Sequence, residues 1–132
     1  MGECSTVTFA PAPFVQGQTI ILTLGELAIS RSGLTIDGGA GVTVSGNNSS
    51  RVFYVYDVVN VTVENLTITQ GNTGGDGGAI YNTGIMLLGS NTIVSDSAAS
   101  GDGGGIFNEG TLTVNGTVSN NTAQYGGGIY NY

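Results

Sequence analysis

Apolar and polar residues alternate in short runs along this chain, and the runs recur. Leu34-Thr35-Ile36, Val61-Thr62-Val63, Met86-Leu87-Leu88 and Leu112-Thr113-Val114 form one series. Val42-Thr43-Val44, Leu66-Thr67-Ile68, Thr92-Ile93-Val94 and Thr117-Val118-Ser119 form a second. A third follows glycine: Gly77-Gly78-Ala79-Ile80-Tyr81-Asn82, Gly103-Gly104-Gly105-Ile106-Phe107-Asn108 and Gly126-Gly127-Gly128-Ile129-Tyr130-Asn131. Its copies are offset by 26 and then 23 residues, and Val52-Phe53-Tyr54-Val55 is an earlier, degenerate member. Alternation with period two predicts strands with one face inward, so Leu34 and Ile36 point in and Thr35 points out.

Each repeat therefore carries three short strands, too few and too short to make a sheet alone. Stacked on the same strands of the next repeat, they make parallel sheets around one axis, each coil advancing about 4.8 Å. The fold expected is all-β: a right-handed, single-stranded parallel β-helix with three short strands per coil and about four to five coils. A β-sandwich would need hairpin turns such as Asn-Gly, and Asn115-Gly116 is the only Asn-Gly dipeptide. Residues 1–18 are expected to form an N-terminal capping segment, with apolar Phe9, Phe14 and Val15 covering the core end, and 19–132 the β-helix.

The columns follow from the stacking. Ile80, Ile106 and Ile129 are expected to line the core, and Tyr81, Phe107 and Tyr130 to form an aromatic stack. Asn82, Asn108 and Asn131 should form an amide ladder from coil to coil. The glycines before them let the backbone turn at positive φ.

Composition agrees with the fold and narrows the function. Gly numbers 24 and charged residues are 8%, so this is neither a polyelectrolyte nor a helix former. Net charge is −7 with Arg31 and Arg51 as the two cations, which excludes nucleic acid as a partner and anionic membrane surfaces. No apolar run is long enough to cross a bilayer, so no membrane insertion is expected. Met1-Gly2-Glu3-Cys4 lacks the basic start and apolar core of a signal peptide. Cys4, the single cysteine, forms no internal disulfide and reads as a free thiol or a cross-link between chains. The composition suits a secreted or cell-surface protein.

An enzyme is not expected, and no catalytic residue or cofactor is assigned. Without Lys or His, base chemistry would fall to carboxylates. Asp76 and Asp102 are the candidates, since both precede a Gly-Gly corner in adjacent coils. They could pair for glycoside cleavage or hold calcium between them, but Gln124-Tyr125 replaces that Asp in the third copy, and a solvated turn is the plainer reading. The outward threonines Thr35, Thr62 and Thr113 would make an ice-binding column that Leu87 interrupts.

The runs Val7-Thr8-Phe9-Ala10-Pro11, Gly25-Glu26-Leu27-Ala28-Ile29-Ser30 and Leu34-Thr35-Ile36-Asp37-Gly38 resemble the start of bacterial right-handed β-helix repeat proteins. The Gly-Gly-Gly-Ile-Tyr-Asn units resemble theirs too, and also those of chlamydial polymorphic outer membrane proteins with Gly-Gly-Ala-Ile and Phe-x-x-Asn motifs. Val118 departs from the second motif, standing where Phe would be. The resemblance implies an exported surface passenger, adhesin-like, with no catalytic site.

The function expected is a non-catalytic extracellular β-solenoid module, structural or adhesive, with a carbohydrate-binding or carbohydrate-cleaving β-helix as the alternative. Expected partners are a second copy, through the solenoid ends, and a surface glycan or protein. The last coil ends in an open parallel edge. It is read either as continuing into a longer solenoid or as stacking on the N-terminal coil of another copy, a filament contact. In that contact the Ile, aromatic and Asn columns are expected to run on across the junction.

Overall fold

The computed structural model describes residues 5–9 and 17–132. Cys4, Phe14 and Val15 lie outside them. Short strands follow one another without a helix among the described residues. The first coils hold β1 (Ser5–Thr8), β2 (Thr19–Ile21), β3 (Leu27–Ile29), β4 (Leu34–Ser45), β5 (Phe53–Val55), β6 (Asn60–Thr69) and β7 (Asn72–Thr73). The later ones hold β8 (Ile80–Asn82), β9 (Ile85–Leu88), β10 (Ile93–Ser95), β11 (Ala98–Ala99), β12 (Ile106–Asn108), β13 (Thr111–Val114), β14 (Thr117–Ser119) and β15 (Ile129–Asn131).

All pairing between them is parallel and coil to coil, giving a β-solenoid of about five turns. The first column stacks β3, β5, β8, β12 and β15. The second stacks β1, the first halves of β4 and β6, then β9 and β13. The third stacks β2, the second halves of β4 and β6, then β10 and β14. β4 and β6 each run on around the corner between these two columns, with a register break between Asp37 and Val42. A minor ladder of β7 and β11, extended by a bridge from Ala98 to Thr122, adds a fourth line of stacking.

Of the segment read as a cap, Ser5–Thr8 pairs in register with Leu34–Asp37 and so adds a rung to the second column. The third column corrects one alignment. Thr117 pairs with Ile93, not with Thr92, a slip of one residue from the expected series. Inward packing decides it, because a one-residue shift would turn Val118 away from Val94. Thr92 then sits inward, 1% exposed, and its hydroxyl donates to the Val63 carbonyl at 3.1 Å.

The core is a thin apolar column along the axis. Val61, Val63, Leu66, Ile68, Ile80 and Ile106 are fully buried, each worth about 1.5–3 kcal/mol of transfer free energy. Ile129, in the last coil, remains 38% exposed. Gly77, Gly103 and Gly126 turn the corner before the first column at φ of +67°, +67° and +58°, where a side chain would be strained.

Candidate functional site

Register places the Ile, aromatic and Asn residues of the glycine-led repeat one above another in the first column. Their side chains then follow from which way each strand position faces. Asn82 and Asn108 face inward, 0% and 2% exposed, so their amides require partners. Asn82 Nδ2 donates to Asn108 Oδ1 at 2.7 Å, and Asn108 Nδ2 donates to Asn131 Oδ1 at 2.7 Å. Each buried amide also holds its own turn: Asn82 Nδ2 donates to the Gly84 carbonyl and Asn108 Nδ2 to the Gly110 carbonyl. The Gly84 N–H donates to Asn82 Oδ1.

The aromatic residues face outward and lie on one another. Ring centroids are 5.1 Å apart for Tyr54 and Tyr81, 4.9 Å for Tyr81 and Phe107, and 5.4 Å for Phe107 and Tyr130. Tyr54 thus joins the column through the degenerate repeat. Stacked rings cover each other's faces and leave edges to solvent, so a sugar has little ring face to lie against along the column. The Tyr81 hydroxyl donates to Glu109 at 2.9 Å. Burial first, then this bond and the Glu109 charge, push the Tyr81 phenol up to about 12 from 10.0.

Arg51 binds three coils together. It donates to Glu26 at 2.5 Å, to the Gly77 carbonyl from Nε and to the Asp76 carbonyl from Nη2. Its guanidinium also lies over the Tyr54 and Tyr81 rings at 5.7 and 5.2 Å, within cation–π range. Beside it is an open polar groove of about 690 Å³ with Glu26, Asn48, Ser49, Asn72 and Thr73 in its walls. At the other corner Asp37 Oδ1 accepts from Asn65 Nδ2, and Asn65 Oδ1 accepts from Asn91 Nδ2. The Asn65 amide, then the Gly39 N–H, hold the Asp37 carboxyl below its ordinary value.

Asp76 and Asp102 do stand on adjacent coils, and the chain uses one of them structurally. Asp76 Oδ1 accepts the backbone N–H of Asp102 at 2.8 Å, which fixes that carboxylate against the next coil. Among the described residues, no three or more His, Cys, Asp or Glu side chains converge as a metal cluster would. The threonine column is continuous in register, Thr6, Thr35, Thr62, Leu87 and Thr113, with Leu87 breaking its chemistry.

The first coil overturns one expectation. β3 sets Leu27, Ala28 and Ile29 at the positions of Phe53, Tyr54 and Val55. A head-to-tail junction would therefore match Ile129 with Leu27 but set Tyr130 on Ala28 and Asn131 on Ile29. The aromatic and Asn columns do not continue across it, because the first coil carries neither residue type.

Arg51 and the Asp37–Asn65–Asn91 line were not evident from the sequence as sites. The available signal was an Asp or Asn at the corner between the second and third columns, with Asn65 and Asn91 at φ of 54° and 56°, a conformation Asn tolerates better than most residues. Compared with known proteins, the chain gives no match: no family model, no curated protein and no solved structure is significantly similar to it.

Proposed function

We propose that this chain is a non-catalytic β-solenoid module, structural or adhesive, exported to the cell surface or beyond, that interacts through its coil ends and lateral faces. Its likeness to bacterial Gly-Gly-Gly-Ile-Tyr-Asn repeats and to chlamydial polymorphic outer membrane protein repeats belongs to the same proposal. One observation carries it. Four of the polar side chains, Asp76, Asn82, Asn108 and Arg51, are spent on bonds between coils.

Electron microscopy with light scattering of the purified chain tests the end as an interaction surface. Filaments or concentration-dependent association, lost in Ile129→Asp, are expected, because that change places a charge in an apolar junction. Ile129 lies at the exposed end, so the variant should fold as the wild type does. Association unchanged by Ile129→Asp would refute the end as the contact.

The polar groove beside Arg51 favours one second reading, a glycan-binding solenoid. Glycan-array binding that maps to Asn48, Ser49 and Asn72, or polysaccharide turnover lost in Asp76→Asn or Asp102→Asn, would replace the first reading with it.

A further inference from the structure

The loop from β5 to β6 departs from its neighbours. Tyr56, Asp57, Val58 and Val59 join these strands, where Thr83-Gly84 and Glu109-Gly110 suffice in the next two coils. Val59 turns back into the core, and the surplus projects Val58, 81% exposed, at φ 57°. The turn is pinned there: Asp57 Oδ1 accepts the Val58 N–H at 2.8 Å, and the Val59 N–H donates to the Tyr56 carbonyl. A β-branched residue held in left-handed backbone and open to solvent serves no packing, and such strain gathers at functional surfaces. Beside it, β9 turns Ile85 and Leu87 outward. The coils on either side carry Asn60 and Thr62, and Thr111 and Thr113, in the same register. Ile85 is 48% exposed. Val58 and Ile85 line one open groove of about 410 Å³, together with Asp57, Thr83, Glu109 and Thr111. An apolar centre with a polar rim is the anatomy of a protein contact. Coils flank the patch on both sides, β6 before it and β13 after it.

We propose that this patch docks a protein segment that presents a large apolar side chain beside a Lys or Arg. Val58 and Ile85 supply the apolar contact, and the charge of the groove selects the cation. Asp57 and Glu109 are both acidic, and neither is in an ion pair among the described residues. Glu109 gives one oxygen to the Tyr81 hydroxyl, and Asp57 gives one to its own loop. Those bonds fix both carboxylates beside the groove, and each keeps a second oxygen for a partner. A glycan fits less well, because it would set hydroxyls against aliphatic Val58 and Ile85 without hydrogen bonds. A second copy of the chain also fits this face less well: it has no Lys, and Arg51, one of its two Arg, is spent between coils. The partner is one for the lateral faces in the reading above and rests on that reading, while the coil ends stay free for their own contact.

Selection of random linear peptides, displayed on phage, against the wild-type chain tests the patch. The deciding variant is Ile85→Thr with Leu87→Thr, which gives β9 the residues of the next coil, Thr111 and Thr113, and so should fold; its melt and circular dichroism check that. Selected peptides are expected to carry Lys or Arg next to a large apolar residue and to bind this variant about tenfold more weakly. Asp57→Asn with Glu109→Gln should weaken the same peptides and flatten the fall of their affinity with salt. No enriched peptide, or peptides that bind the double-Thr variant as tightly as wild type, would overturn the patch as a docking site. Peptides without a cation, or indifferent to the loss of both carboxylates, would overturn the partner chemistry. Dimerisation or glycan-array binding that the double-Thr variant abolishes would overturn it too, in favour of a second copy or a sugar. Association lost in Ile129→Asp judges the coil ends separately, so the two readings fail independently.

Discussion

Asn108 is the residue on which the amide ladder turns. Replacing it with Ala removes three bonds at once: from Asn82 Nδ2, to Asn131 Oδ1 and to the Gly110 carbonyl. At about 1 kcal/mol net for each bond, with the hole left by the amide adding little, the loss is about 3 kcal/mol. Asn82 keeps its bonds to the Gly84 and Thr111 carbonyls, which holds the figure below that for a fully stranded amide. Asn131→Ala removes one ladder bond at an exposed end and should cost less than about 1 kcal/mol. For a chain of this length the difference corresponds to a melting midpoint about 6–10 °C lower for Asn108→Ala than for Asn131→Ala. Solenoids need not unfold in one step. Thermal melts should therefore be paired with hydrogen exchange at the amides of β8 and β12, which should lose protection locally. A double-mutant cycle between Asn82 and Asn108 should return a coupling of about 1 kcal/mol. Equal melting midpoints for Asn108→Ala and Asn131→Ala would refute the ladder as a source of stability.

Two further predictions follow from local geometry. Val58 sits at φ 57° and is 81% exposed; a β-branched residue is strained there and has little packing to lose, so Val58→Asn should stabilise the chain by about 0.5–1 kcal/mol, checked by chemical denaturation. The raised Tyr81 pKa favours the folded state while the phenol is protonated. That contribution is full below pH 10 and is lost as pH rises to about 12. Alkaline melts of Tyr81→Phe should lack this component, and tyrosinate absorbance of the wild type should show one phenol titrating late.

Much of the architecture is legible in the sequence because a solenoid writes its fold locally. The glycine-led units alone place Ile80, Ile106 and Ile129 in one column and their aromatic and Asn neighbours in two others. Alternation within three residues tells inside from outside. What the repeat does not encode is how loops of unequal length are absorbed. The one-residue slip at Thr117 is of that kind, since inward packing of Val118 against Val94 outweighs the apparent alignment with Thr92. Tyr54, by contrast, is legible as part of the degenerate repeat even without the glycines and the Asn, and it does lie in the aromatic column.

Other features belong to the tertiary structure entirely. Arg51 reads as a loop residue, but its partners Glu26, Asp76 and Gly77 lie 25 or 26 positions away, and nothing in the adjacent sequence marks them. Asp37, Asn65 and Asn91 become a line only once the coils are in register. The same holds for the mismatch between the two ends: Ile29 and Asn131 occupy equivalent positions, which shows only when β3 is paired with β5. The sequence by itself determined the period, the facing of each strand and the identity of the stacked columns, because these depend on residues a few positions apart. Tertiary structure decided the register, the cross-coil clamps and the direction of the amide ladder, because each depends on atoms a full coil apart in sequence and one strand spacing apart in space.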